Sequence, residues 1–147
     1  MWRRLASVVF VLDSVVIGLG AIGHGLQASH LHAAIDQFPI EPDMHSMLYV
    51  VWYSVSGCML TFGVTLIWVW RRVQTGDGRP MFAANAIGVL YSGIGAFGLV
   101  YRNGDPFMAF FLARGALLLA SGYVLTRPRQ ASGKMATRTN AAAGVES

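Results

Sequence analysis

The chain has 147 residues, of which 54% are hydrophobic and only 12% charged, with a mean hydropathy of +0.51. That is too apolar for an ordinary soluble domain and points to one membrane-embedded unit. The net charge of +4 and the pI of about 9.7 invite a nucleic-acid reading, but the basic residues flank apolar runs and form no aromatic-interleaved patch, so no nucleic-acid partner is expected.

Taken in chain order, four apolar runs are predicted to be transmembrane helices: 5–27, 47–70, 81–101 and 107–126. Each supplies the ~20 residues that cross ~30 Å of hydrocarbon as a helix. None shows the short alternation of a barrel strand. Trp2-Arg3-Arg4 before the first run also fits a signal peptide. Against that, the run exceeds a usual signal core, Asp13 interrupts it, and no small-x-small cleavage pattern follows.

A long loop, 28–46, follows the first run, and the loop after the second contains Thr75-Gly76-Asp77-Gly78 and Pro80. Arg102-Asn103-Gly104-Asp105-Pro106 joins the last two runs. Both later connections are turn chemistry, so consecutive helices should be antiparallel neighbours. The expected fold is an all-α integral membrane four-helix bundle of up-down topology over 1–129. The rest, 130–147, is Ala, Ser, Thr and Gly with scattered charge, and reads as a disordered cytoplasmic tail.

Orientation follows from the basic residues. Arg3, Arg4, Arg71, Arg72, Arg79, Arg127, Arg129, Lys134 and Arg138 fall on one side, whereas the 28–46 loop carries Asp36, Glu41 and Asp43 with no Lys or Arg. Both termini are therefore expected in the cytoplasm, with anionic headgroups of the bilayer as partners at that face. Trp2, Trp68, Trp70 and Tyr123 would mark the inner interface, and Tyr49, Trp52, Tyr53 and Tyr101 the outer one. Ten arginines against one lysine suggest a GC-rich bacterial gene and a bacterial inner membrane.

Asp13 and Arg114 are the charged residues set deep inside spans, in the first and the last. A lone charge at that depth costs about 2.5–3.5 kcal/mol on insertion scales, so a buried ion pair is expected. At ~100° per residue, His24 shares a face with Asp13 on the first helix, and Ser54, Cys58 and Thr61 share one on the second. Asn85 and Ser92 align on the third. In lipid these groups are expected to turn inward as a polar seam. The ion pair then serves either as a clamp on helix register or as a carboxylate coupling proton or substrate movement.

Gly18-Leu19-Gly20-Ala21-Ile22-Gly23 recurs as Gly93-Ile94-Gly95-Ala96-Phe97-Gly98, a faint repeat that would make the chain two related hairpins. No strand precedes these glycines, so they read as close helix packing and not as a dinucleotide fingerprint. The one cysteine, Cys58, allows neither an intramolecular disulfide nor a CxxC pair.

All four histidines lie in or beside the outer loop. His30, His32, His45, Met44 and Met47 are donor types that suit copper, and with the loop carboxylates they would suit zinc. His24 and His45 could supply two haem ligands, although nothing else marks a porphyrin cavity. A solvated loop helix explains the same residues, and no resident cofactor is expected.

Four short spans, glycine-rich first and third helices and Arg114-Gly115 in the last make the chain similar to the broad group of small DoxX-like bacterial membrane proteins. The small multidrug transporters also have four spans and an acid in the first helix. This chain departs from them in its long outer loop, its charged fourth helix and its arginine asymmetry. With no nucleophile–base pair and no complete metal motif, the expected function is an accessory, assembly or scaffold component, alone as a homo-oligomer or within a membrane complex. The alternatives are a permease-like protein using Asp13, and a metal-handling or redox protein using the outer histidines.

Overall fold

The structure, a computed structural model, describes residues 1–127. The tail expected at 130–147 lies outside the described residues. Five helices follow in chain order: α1 (Trp2–Leu26), α2 (Ala28–Ile35), α3 (Pro42–Gln74), α4 (Met81–Tyr101) and α5 (Pro106–Thr126). Among the described residues there is no strand. With α2 continuing α1 past Gln27, four helical segments are long and apolar enough to cross a membrane.

The helix ends follow from local chemistry. Pro42 opens α3 with Asp43 in its first turn, and Pro106 opens α5, where the Asp105 carboxylate accepts from the Phe107 N–H at 2.8 Å. Proline loses nothing there, because the first-turn N–H groups have no helical acceptor. Asn103 and Gly104 take positive φ values of 51° and 85° to reverse the chain between α4 and α5. α3 begins above the predicted run at 47 because its first turns are polar but helical, and water can solvate them. The 28–46 loop likewise forms the short helix α2.

α1 packs chiefly on α3 and α4 chiefly on α5; α1 against α5 joins the two pairs, and α3 meets α4 only narrowly. A side chain at Gly63 would bring its Cβ to 2.5 Å from the Gly18 Cα, so α1 and α3 cross there with backbone against backbone. The same device serves α4 and α5, where Gly95 faces the Leu112 backbone and Gly115 faces the Gly88 carbonyl and Ser92. Lipid tails are as apolar as leucine, so close van der Waals packing takes over the role that water plays for soluble cores. Phe10, Ile17, Leu66, Val69, Tyr91 and Leu118 fill the centre, while Leu12, Leu19, Ile22, Val64, Val89 and Phe97 coat the outside.

Candidate functional site

Asp13 is held inside the bundle at 1% exposure, and an Arg114 Nη1–H donates to its Oδ1 at 3.0 Å. The two residues expected to pair are thus in contact, from α1 to α5. The contact is single-pronged: Asp13 Oδ2 is buried without a hydrogen-bond partner among the described residues. Arg114 keeps a quarter of its side chain exposed and lays its guanidinium 4.6 Å from the Phe110 ring centre. The Tyr91 hydroxyl, also buried, is likewise without a partner among the described residues. Burying polar groups unpaired costs about 1–3 kcal/mol each, so Asp13 Oδ2 and the Tyr91 hydroxyl are two interior groups with unspent hydrogen-bonding capacity.

The rest of the polar interior differs from the expected seam. Ser54, Cys58 and Thr61 are exposed, and the Thr61 hydroxyl donates back to its own helix at Gly57 O, 2.9 Å away. Asn85 is exposed as well, and Ser92 is half-buried against Gly115. The reason is the rotation of α3. Gly63, Leu66, Val69 and Val73 are its buried positions, and they turn the Ser54–Cys58–Thr61 stripe away from α1. In a membrane protein the lipid-facing and core-facing sides are about equally apolar, so polarity alone does not phase a helix.

His24 does reach across to α3, through residues the stripe arithmetic missed. Its Nδ1 lies 2.9 Å from Ser56 Oγ, its ring stacks on Trp52 at 3.9 Å between centres, and the Trp52 indole N–H donates to the His24 carbonyl at 2.9 Å. At the opposite end of the same helix pair, the Trp70 indole N–H donates to Ser7 Oγ at 2.7 Å. Two tryptophans predicted as interfacial anchors therefore also pin α1 to α3. Their signal in the sequence was a donor-bearing ring near each end of the span, where helix carbonyls and hydroxyls are accessible.

The histidines of the 28–46 loop divide. His32 and His45 both pack on Tyr49, with ring centres at 3.9 and 4.7 Å, and His45 Nε2 lies 2.9 Å from Asp36 Oδ1 and 3.3 Å from the Tyr49 hydroxyl. This cluster ties the loop after α2 to the first turns of α3. His30, Met44 and Met47 are exposed and take no part in it. Among the described residues, no three His, Cys, Asp or Glu side chains converge as a metal site. The copper, zinc and haem readings therefore gain no geometry from the fold.

At the arginine-bearing end, Asp77 sits in the α3–α4 turn, where it accepts from the Arg79 backbone N–H at 3.1 Å and the Arg72 guanidinium at 2.8 Å. The Arg79 N–H first, and then Arg72, hold its carboxyl below the ordinary value. Arg3 reaches from α1 to the end of α5, donating to the Leu125 carbonyl at 2.8 Å.

Fold and site together define a small helical protein with four helices long and apolar enough to cross a membrane and an internal ion pair. Comparison with protein-family models, with curated proteins and with solved structures finds no match for this chain. The likeness to the DoxX-like group accordingly rests on architecture alone.

Proposed function

We propose that the chain is an up-down four-helix bundle of a bacterial inner membrane, with both termini cytoplasmic, that acts as a homo-oligomeric scaffold or accessory component of a membrane assembly. The observation that carries this reading is the uncovered face of α3. Its apolar window is the least buried of the four spans, yet that outward surface bears Ser54, Gly57, Cys58 and Thr61. A Cβ added at Gly57 would meet open space. Small residues spaced four apart let another helix approach closely, and hydroxyls facing lipid gain by finding a partner. The strip can face its own copy about a two-fold axis, which makes a second copy of the chain its fitting occupant.

The orientation draws on the arginine asymmetry. The up-down course is supported by contacts that join the start of α1 to the ends of α3 and α5, through Ser7–Trp70 and Arg3–Leu125. A permease-like role for Asp13 has one observation in its favour, the buried Asp13 Oδ2 without a partner among the described residues. Loss of transport in a folded Asp13→Asn variant would establish that role.

Cys58 provides the test of the scaffold reading, because it is the single thiol and is exposed on the strip. Mild oxidation of membranes should give a disulfide-linked dimer through Cys58. A Cys58→Ser, Val89→Cys chain, whose thiol sits on a lipid-facing position of α4, should give none. Equal cross-linking from both positions, or from neither, refutes the scaffold reading.

A further inference from the structure

The start of α1, the end of α3, the α3–α4 turn and the end of α5 line an open cavity of about 830 Å³ at the arginine-bearing end of the bundle. Its lining includes Arg3, Arg4 and Arg127, together with Ser7 and Gln74. Among the described residues, no carboxylate lines it. Among the described residues, none of the three arginines makes an ion pair, and Asp77, the acid of the neighbouring α3–α4 turn, is matched to Arg72.

Two acceptors on the cavity wall are engaged. Leu125 O takes a hydrogen bond from Arg3, and Ser7 Oγ accepts from both Trp70 at 2.7 Å and Gln74 at 3.1 Å. A hydroxyl has two lone pairs and one proton, so Ser7 is left with only its O–H to offer. Arg127 donates one N–H to the Tyr123 hydroxyl and rests on the Tyr123 ring, and its other N–H groups make no hydrogen bond among the described residues. Among the described residues the cavity is therefore a donor-rich site whose positive charge is not offset by a lining carboxylate, of a size typical of ligand pockets.

A second, shallower groove of about 610 Å³ adjoins it, lined by Met1, Arg4, Leu5 and Val8. Arg4 and Val8 belong to both. The combination is amphipathic: cations and hydroxyls at the helix ends, then an apolar track along the flank of α1 toward the membrane interior. A free phosphate ion would leave the apolar track unused.

We propose that this end of the bundle binds one anionic phospholipid, with its phosphate among Arg3, Arg4 and Arg127 and an acyl chain along Leu5 and Val8. The ligand class follows from charge complementarity and from the continuity of the two grooves. Guanidinium forks suit phosphate oxygens, and basic pockets between helices on the cytoplasmic side suit anionic headgroups. The inference rests on the membrane-spanning, arginine-inside reading and adds a defined site to it.

The test uses the full chain in neutral detergent, with thermal unfolding followed as short-chain phosphatidylglycerol, short-chain phosphatidylcholine or inorganic phosphate is titrated in. Phosphatidylglycerol should raise the midpoint, and the other two should not. Arg4→Gln and Arg127→Gln should each weaken phosphatidylglycerol binding about fivefold, and the double variant about 25-fold. Arg71→Gln with Arg79→Gln removes the same charge from the same end but outside the cavity, and should leave binding within about twofold of the wild type. The proposal is overturned if phosphatidylcholine or phosphate stabilises as well as phosphatidylglycerol, or if the Arg71/Arg79 variant loses as much as the Arg4/Arg127 variant. A carbonate wash of membranes separates the two levels. A chain that stays in the pellet but shows no lipid preference refutes the site alone, and a chain that washes off refutes the membrane reading beneath it.

Discussion

Replacing Asp13 by Asn keeps the shape of the side chain and removes its charge, which isolates the electrostatic part of the α1–α5 contact. Asp13 is 1% exposed and holds Arg114 through one hydrogen bond of 3.0 Å. A guanidinium has no neutral form at ordinary pH, so Arg114 would be left as an uncompensated cation within the span. Removing one member of a buried pair typically costs about 3–5 kcal/mol. Arg114 already has a quarter of its side chain exposed and rests on the Phe110 ring, which gives the stranded charge some relief. The expected loss is therefore at the lower end, about 3 kcal/mol. The companion variants are Arg114→Gln and the double Asp13→Asn, Arg114→Gln. Reversible unfolding of all four proteins in mixed micelles gives a double-mutant cycle, with a coupling of about 2 kcal/mol expected. If the double variant is as unstable as the sum of the two singles, or if Asp13→Asn unfolds with the wild type, the pair does not hold the bundle together.

Gly63→Ala should destabilise by about 1–3 kcal/mol, because its new methyl would meet the Gly18 backbone, whereas Gly93→Ala faces open space and should change the melt by less than about 0.5 kcal/mol. Trp52→Phe removes the indole donor to the His24 carbonyl and should cost about 1 kcal/mol in the same assay. Asp77→Asn tests the α3–α4 turn through pH. The folded-state carboxyl lies below its ordinary value of 3.8, so its contribution is present at neutral pH and is lost as the pH falls through the folded-state value. The variant should therefore melt lower than the wild type at pH 7, and the difference should close as the pH falls below 3.8; a gap that persists in acid would contradict the assigned contacts.

The elements governed by the bilayer were legible in the sequence. Four long apolar helices follow from the need to satisfy every backbone polar group inside hydrocarbon, and α4 has the bounds its hydropathy predicts, Met81–Tyr101. Asp13 and Arg114 could be paired in advance because an isolated charge in a span is too costly to leave alone. The polar face of α3 could not be oriented in the same way. Small hydroxyls and thiols cost little in lipid, so Ser54, Cys58 and Thr61 carry too weak a preference to set rotation against the backbone crossing at Gly63. Ser56 was hidden for the same reason, and its place beside His24 depends on that crossing. The cavity between Arg3, Arg4 and Arg127 joins residues from opposite ends of the chain, and it became visible only once α1 and α5 were seen side by side.

The ties between α1 and α5 specify one sliding register. From residue 3 to residue 13 along α1 is about 15 Å, and from residue 114 to residue 125 along α5 is about 16 Å, at 1.5 Å per residue. Arg3 to Leu125 O and Asp13 to Arg114 can thus both close in a single alignment of two oppositely directed helices. Sliding either helix by one turn, 5.4 Å, breaks both ties and strands a charge in the span. Small-residue crossings are less selective, since glycines recur along α1 and α4 and would tolerate neighbouring contacts. Close packing accordingly supplies adhesion within the α1–α3 and α4–α5 pairs, while the two arginine contacts determine how one pair seats against the other. That seating brings Arg3 and Arg127 to the same cavity, so the register held at mid-membrane by Asp13 also assembles the phosphate site at the surface.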